Sequence, residues 1–275
     1  GGEASGKGTD ICFEYNQHVG QDFWIAATGN FTYARSKFTV YEEPVYNEKY
    51  RSRIGHPIFQ DYGLIAERLF VDDVEAANSP KQNFGPYGGG DIKYTDVNGD
   101  GQITGADMVP IGNPRLPEVV YGFGFSSGYK SFDFSAFFQG LSNESFWIDS
   151  RATSPFNNET QLLKAYADSH WSEDSRDIHA LWPRLSPTIN DNNNQRSTWF
   201  MRDGAFLRLK QVEIGYKIPN SIQKRLHTSS FRLYVNATNL FNISKFNLWD
   251  VEMGGDGLGY PIQRVFNVGL NISLK

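Results

Sequence analysis

Seven stretches of this sequence alternate between apolar and polar residues with a period of two, and this pattern constrains the fold more than any other feature. In residues 264–274, large apolar residues such as Val268 occupy every second position, and small or polar residues such as Asn267 lie between them. Because successive side chains of a β-strand point to opposite faces, each stretch predicts a strand with one apolar and one wet face. The predicted strands are residues 8–17, 23–33, 119–126, 132–139, 204–218, 231–238 and 264–274.

Composition agrees with an all-β chain and excludes several other classes. Aromatic residues make up 15% of the 275 residues although the mean hydropathy is -0.48, so aromatic and polar residues are interleaved. Cys12 is the single cysteine, which excludes a disulfide framework and a CxxC site. The net charge of -5 argues against a nucleic-acid partner, and no apolar run is long enough to predict a transmembrane helix.

The connections between the predicted strands alternate between short and long. Soluble domains usually keep connections to about 4–6 residues, whereas long loops at one end and short turns at the other are typical of an outer-membrane β-barrel. Most of the stretches also suit the roughly 9–11 residues that a tilted spanning strand needs. The long connections are residues 43–116, 144–203 and 243–261, and the short ones are residues 18–22, 128–131 and 219–229.

In a barrel the apolar set of side chains faces lipid and the polar set faces a wet lumen. A soluble β-sandwich alternates in the same way with its apolar face inward, so a calcium-stabilised carbohydrate-binding or adhesin module remains the alternative. Closed bacterial barrels have an even number of strands, eight or more, and seven strands leave two unpaired edges that hydrocarbon does not tolerate. We therefore expect a transmembrane antiparallel β-barrel, of which this chain supplies only the last seven or so strands with long extracellular loops.

Residues 96–107, within the 43–116 connection, have the spacing of an EF-hand-type calcium loop. Side chains that carry oxygen occupy loop positions 1, 3 and 5, and Gly101 occupies position 6. Asp107 replaces the usual Glu at position 12, and Pro110 prevents an exiting helix, so a paired EF-hand is not expected. A metal-free Asn/Asp/Gly turn remains the alternative. The predicted ligands of a structural Ca²⁺ are Asp96, Asn98, Asp100, Gln102 through its carbonyl, Thr104 and Asp107.

The residue patterns do not indicate an enzyme. The five histidines are scattered, and the polar neighbours of His170 and His179 do not define a triad, because triads are recognised by geometry. The glycine-rich segment 85–90 lacks the Lys-Ser/Thr pair of a phosphate-binding loop. No catalytic residue is therefore proposed.

Five tryptophans fall in or beside the long connections. A partly exposed indole ring is suited to stacking on a sugar or peptide, so each is a candidate ligand-binding residue. Alternatively, these rings pack the loops against one another or belong to an interfacial aromatic girdle. One short helix is expected at residues 159–169, where Leu162 and Tyr166 share an apolar stripe. The five candidates are Trp147, Trp171, Trp182, Trp199 and Trp249.

Several segments, in order along nearly the whole chain, resemble the SusC/RagA family of TonB-dependent outer-membrane transporters. The first reads GDIKYTDVNGDG at residues 90–101 and contains the start of the calcium-type loop. A later one reads FDFSAFFQG at residues 132–140 and lies on a predicted strand. The other matching segments are residues 111–114, 121–123, 206–210 with Gly215, Tyr216 and Pro219, and 234–241.

The resemblance implies more than the residue patterns do. It implies a 22-strand barrel with an N-terminal plug in the outer membrane of Bacteroidetes-type bacteria, surrounded by lipid and lipopolysaccharide. It also implies import of glycan oligosaccharides or peptides, with a SusD-like surface lipoprotein as a lid and TonB acting through the plug. Residues 1–275 are then the C-terminal part of the barrel, without the plug and the N-terminal strands. A receptor for metal chelates remains open.

Overall fold

Seven long strands form one antiparallel sheet in the computed structural model, which describes residues 1–274. Each of these strands pairs with its neighbour in the chain, so the sheet is a meander. Each of the seven overlaps one predicted stretch, and β1 and β2 extend well beyond theirs. The strands are β1 (Glu3–Val19), β2 (Phe23–Val40), β3 (Val119–Tyr129), β4 (Phe132–Ser142), β5 (Phe206–Lys217), β6 (Thr228–Thr238) and β7 (Val265–Leu274).

The connections contain only short elements. No helix among the described residues is both long and apolar enough to cross a membrane. The α-helices are Asp73–Ala77, Lys164–Asp168 and Asn220–Arg225, and the 3-10 helices are Lys49–Arg51, Gly105–Asp107, Asn157–Glu159 and Val251–Met253. The short strands are Asp61–Gly63, Ala66–Leu69, Lys81–Gln82, Ile92–Tyr94, Gln102–Ile103, Val109–Ile111, Ser145–Trp147, Met201–Asp203 and Asn242–Ser244, the last of which pairs with β5.

The helix predicted at residues 159–169 is shorter than expected. It forms only over Lys164–Asp168. Phe156 and Glu159 have φ angles of 61° and 64°, in the left-handed region that does not continue a right-handed helix. The predicted segment therefore starts at the last residue of the 3-10 helix Asn157–Glu159, and residues 160–163 are not helical.

The register places the predicted apolar residues of the seven strands on one face of the sheet. Val235 of β6 lies opposite Ile214 of β5 and Val268 of β7. The same face continues to Phe125 of β3, which lies opposite Ala27 of β2. Because a slip of one residue would exchange the two faces of a strand, this alignment requires every pair to be in register. Side chains on the opposite face include Asn30, Ser126, Ser135, Glu213, Asn236 and Asn267.

The apolar face of the sheet is uncovered. Val268 is 83% exposed and Phe266 is 69% exposed. The other sheets in residues 1–274 contain two short strands each, so no second layer of long strands buries this face. The β-sandwich alternative is therefore wrong, and the exposed apolar face has the character of a lipid-facing barrel wall.

The long connections leave from one end of the sheet, and the turns between β1 and β2 and between β3 and β4 are short at the other end. The buried core lies among these long loops rather than within the sheet. It draws on all three long connections, because Leu64, Trp182 and Val251 belong to one cluster of buried apolar residues. The loops therefore form a packed layer over one end of the sheet.

Candidate functional site

The wet face of the sheet carries an ion cluster near the short-turn end. Arg232 of β6 donates from Nε to Asp133 Oδ2 of β4 at 2.9 Å and from Nη2 to Glu213 Oε1 of β5 at 2.7 Å. The glycine at position 215 provides the space for the Arg232 guanidinium, because a Cβ there would lie 2.2 Å from Nη2 of Arg232. Three neighbouring strands thus contribute a charged patch with one cation and two anions. The sequence analysis did not single out these residues, because only the register brings them together.

A buried aspartate joins the first two long loops. Asp91 is fully buried and accepts hydrogen bonds from Arg184 Nε at 3.0 Å and Asn193 Nδ2 at 2.8 Å. Burial raises the pKa of the Asp91 carboxyl, and the neighbouring Arg184 opposes that rise. Nearby, Tyr94 Oη donates to the carbonyl of Asn192 at 2.7 Å. These contacts fix loop 43–116 against loop 144–203.

The third long loop is attached through a buried arginine of β5. Arg208 Nη2 lies 2.5 Å from Asp250 Oδ1. Its Nε lies 2.5 Å from Glu252 Oε2 but makes no aligned hydrogen bond there, so this second contact is an ion pair only. Because an unpaired buried charge is costly, the Arg208 pairs hold loop 243–261 to the sheet.

Two of the five candidate tryptophans are buried inside the loop core. The Trp182 ring stacks on Tyr166 with centroids 4.2 Å apart and lies 5.3 Å from the ring of Phe200. Trp171 packs against Gly90, where an added Cβ would come within 2.3 Å of the indole. Only 7% of Trp182 and 4% of Trp171 are exposed. Trp171 and Trp182 therefore pack the loops against one another, as the alternative interpretation states, and their rings have almost no surface for a ligand.

The other three candidates lie against the same core but are partly exposed. Trp147 donates from Nε1 to the carbonyl of Ser197 at 2.7 Å, and Trp249 donates to the carbonyl of Gly254 at 2.8 Å. Trp199 is partly buried and packs against the core. A ligand-binding role stays a prediction for these three residues.

Trp147 also borders an open cleft of about 510 Å³ between two segments of loop 144–203. The guanidinium of Arg196 lies 5.4 Å from the centre of the Trp147 ring, which positions the cation. Neither Arg196 nor Arg151 makes an ion pair with any residue of the described chain. The Asp149 carboxylate, the amide and hydroxyl groups of neighbouring side chains, and two apolar residues complete the lining, which consists of residues 147–151, 194–196 and Phe200. The cleft is suited to a polar ligand with hydroxyl or anionic groups.

The predicted calcium loop is closed by its own carboxylates. Asp96 accepts from the backbone N–H of Gly99 and of Gly101, both at 2.7 Å. Asp107 is fully buried and accepts from the N–H of Val97 at 2.9 Å and of Thr104 at 2.8 Å. Within residues 1–274, no three His, Cys, Asp or Glu side chains converge as metal ligands. The oxygen donors suit Ca²⁺ chemically, but their carboxylates bind backbone amides, and the site stays a prediction.

Sequence comparison finds relatives of this chain among TonB-dependent receptors, although no protein-family model matches it. TonB-dependent receptor P26 of Formosa agariphila is 30% identical over 200 residues, which cover 67% of this chain and 20% of that receptor. TonB-dependent receptor P3 of the same organism is 24% identical over 303 residues, which cover 98% of this chain and 29% of that receptor. The chain therefore spans less than a third of the length of these relatives.

Structural comparison gives the same class. The structure of the RagAB peptide transporter matches with a TM-score of 0.72 and 19% identity, covering 98% of this chain and 29% of that one. The open-open state of the RagAB peptide importer matches with a TM-score of 0.70. The chain is thus an all-β barrel portion of a TonB-dependent receptor of the bacterial outer membrane. The likeness to the RagAB structures, at 19% identity, shows the shared barrel fold and agrees with the predicted resemblance to SusC/RagA-type transporters. The relatives are named as receptors, which agrees with the prediction that the chain is not an enzyme.

Proposed function

We propose that this chain forms part of an outer-membrane transporter that imports glycan oligosaccharides or peptides. The two-faced sheet carries the proposal, because its polar face is suited to line a wet lumen while its apolar face contacts lipid. The names of the relatives and of the structural neighbours support it, since they are TonB-dependent receptors and a peptide importer. A SusD-like lipoprotein would cover the loop end, and TonB would act through a plug.

The geometry supports capture followed by passage rather than bond chemistry. The loop layer is held by the Asp91–Arg184 and Arg208–Asp250 pairs, so it presents a fixed surface at the mouth. The cleft beside Trp147 offers Arg151 and Arg196 to anionic groups, and Asn194 to hydroxyls. The polar wall below it, with the Arg232 cluster, gives a released ligand hydrogen-bonding partners along its path.

Deleting the gene that encodes this chain is expected to abolish growth of the source bacterium on the imported nutrient at limiting concentration. Labelled glycan oligosaccharides, peptides and a ferric chelate are offered separately, and uptake is measured in the deletion strain and after complementation. An Arg196→Gln variant should lower uptake about tenfold, because a hydrogen bond to a charged group contributes roughly 1.5–3 kcal/mol. Unchanged uptake of both glycans and peptides in the deletion strain contradicts the proposal.

Arg53→Gln is a matched control for that variant. Arg53 also lies over an aromatic ring in a loop, 5.0 Å from the centre of the Tyr62 ring, but it does not line the cleft. Its removal should leave uptake within about twofold of the wild type, since Arg53 contacts no part of the cleft. Equal loss of uptake in the Arg196→Gln and Arg53→Gln variants would assign the effect to loop stability.

Affinity purification of the complemented protein tests the partner, and a SusD-like lipoprotein is expected to co-purify.

We also propose that residues 96–107 bind a structural Ca²⁺, on the support of their ligand spacing. Calorimetric titration of the full-length protein with CaCl₂ should show binding, and Asp100→Ala should weaken it by about tenfold or more. Asp100 is exposed and lies at loop position 5, so its loss does not disturb the buried core. Asp191→Ala, another exposed loop aspartate, is the control. No heat of binding in the wild-type protein overturns the calcium proposal.

A further inference from the structure

Three basic side chains lie together on the lipid-facing side of β1 and β2, beyond the apolar belt. Lys7 lies directly opposite Arg35, and Lys37 is the next residue of β2 on the same face. This is the face of Ile11 and Phe31, because the paired residues keep the same register from one end of the two strands to the other. The basic patch, defined as Lys7, Arg35 and Lys37, is exposed.

The height of the basic patch follows from the strand geometry. The outward residues of β2 run from Phe23 to Tyr33, ten residues apart. At ~3.4 Å per residue and a tilt of ~40°, they span ~26 Å, which matches an apolar band of ~25 Å. Arg35 and Lys37 then lie ~5 Å and ~10 Å beyond the band, and lipid headgroups occupy about the first 5–7 Å there. Arg35, with Lys7 opposite it, is therefore at headgroup level on the long-loop side of the membrane, and Lys37 lies just above that level.

The charges of the basic patch are not balanced by the protein. Like charges directly opposite one another on two strands are destabilising, yet Lys7 and Arg35 occupy such a pair. Glu118 is the one described carboxylate that pairs with the patch, 3.3 Å from Arg35 Nε, and it leaves a net charge of two positives. On the lumen side at the same height, Gly8 and Ala34 carry no charge. The cations are thus confined to the side that meets lipid.

We propose that the basic patch binds the phosphate headgroup of an outer-leaflet lipid such as lipopolysaccharide. Ammonium and guanidinium groups recognise phosphate oxygens through charge-assisted hydrogen bonds, and a bound phosphate would relieve the repulsion between Lys7 and Arg35. Clustered basic side chains at a membrane surface attract anionic headgroups by the same electrostatics. The proposal uses the outer-membrane location of the barrel and does not depend on the imported substrate.

The test is titration of the full-length protein in detergent with lipid A, followed by native mass spectrometry. Replacing Lys7, Arg35 and Lys37 together by Gln should weaken lipid A binding at least about tenfold, since each cation near an anionic surface contributes roughly fivefold. Lipid A without phosphates should bind the wild-type protein as weakly as it binds the triple variant. Because the three side chains are exposed on a strand surface, the triple variant should fold normally, and its heat-resistant migration on gels verifies this.

Lys217, Lys224 and Arg225 provide a control with the same change in charge. They are exposed and lie at the short-turn end of β5 and in the helix that follows it. Their replacement by Gln should leave lipid A affinity unchanged. The proposal is overturned by equal affinity of the wild type and the Lys7/Arg35/Lys37 variant, by equal loss in the control triple, or by binding of inorganic phosphate without binding of lipid A. Because uptake is not measured, failure here leaves the proposed transport function standing.

Discussion

Val268→Arg is expected to destabilise the folded barrel strongly in the membrane. Val268 lies near the middle of β7, is 83% exposed, and has Val235 of β6 opposite it on the apolar face. In water an Arg at so exposed a position would be nearly neutral for stability. At the bilayer midplane of a barrel it costs about 2–4 kcal/mol, which lowers the folding equilibrium constant roughly 30-fold to 1,000-fold. Urea titration of the full-length protein in lipid vesicles measures this loss.

The adjacent residue supplies a control that separates lipid contact from strand formation. Asn267 lies on the opposite face of β7, where it donates to Asn236 Oδ1 at 2.9 Å. Asn267→Arg places the same guanidinium in the wet lumen and should cost only about 1 kcal/mol, the value of that hydrogen bond. If both variants are as stable as the wild-type protein in vesicles, the assignment of the two faces is contradicted. If both variants are destabilised equally and strongly, β7 tolerates Arg on neither face.

The sequence alone could predict this face because the alternation is a local property. The polarity of each residue in the 264–274 stretch indicates the face of the sheet on which it lies, and the strand pairing keeps directly opposite residues on the same face. The ends of β1 and β2 were harder to predict. Glu3 to Gly8 and Ala34 to Val40 are mixed in polarity, yet the two strands pair through them as far as Glu3 and Val40. Backbone pairing there continues beyond the apolar belt, where polarity no longer distinguishes the two faces.

Two other features depend on contacts that are distant in sequence. A bulge in β5 skips Lys210, so that Phe137 lies opposite Gln211 and Phe138 opposite Leu209. The apolar residues of 204–218 change phase at this point, from Leu207 and Leu209 to Val212 and Ile214, and the bulge keeps both sets on one face. A single period-two alternation over 204–218 does not predict the shift. Packing by the loop tryptophans was one alternative from the sequence, but the composition of the loop core was not predicted, because Leu64, Trp182 and Val251 belong to three connections without a common period. Their association is encoded in packing between loops, which only the folded arrangement reveals.

The same core gives the second large effect, in which Trp182→Ala should open the loop layer while the barrel stays folded. The Trp182 ring stacks on Tyr166 and lies beside Phe200, and only 7% of the residue is exposed. Truncating a buried Trp to Ala costs about 3–5 kcal/mol through lost contacts and the cavity left behind. If opening is fast compared with cleavage, proteolysis follows the population of the open state. Cleavage within residues 144–203 should then accelerate about 150-fold or more.

Trp182→Phe and Trp249→Ala distinguish loss of packing from loss of an aromatic ligand contact. Phe keeps a ring over Tyr166 and leaves a smaller cavity than Ala, so it should accelerate cleavage less than Ala does. Trp249 is only partly buried at the edge of the core, next to Phe246, so its truncation should have a smaller effect on cleavage. If Trp182→Ala leaves the cleavage rate unchanged but abolishes ligand binding, Trp182 contacts ligand and the buried packing described above is not its role. Trp182 belongs to the buried core of the loop layer, so we expect cleavage, rather than binding alone, to respond.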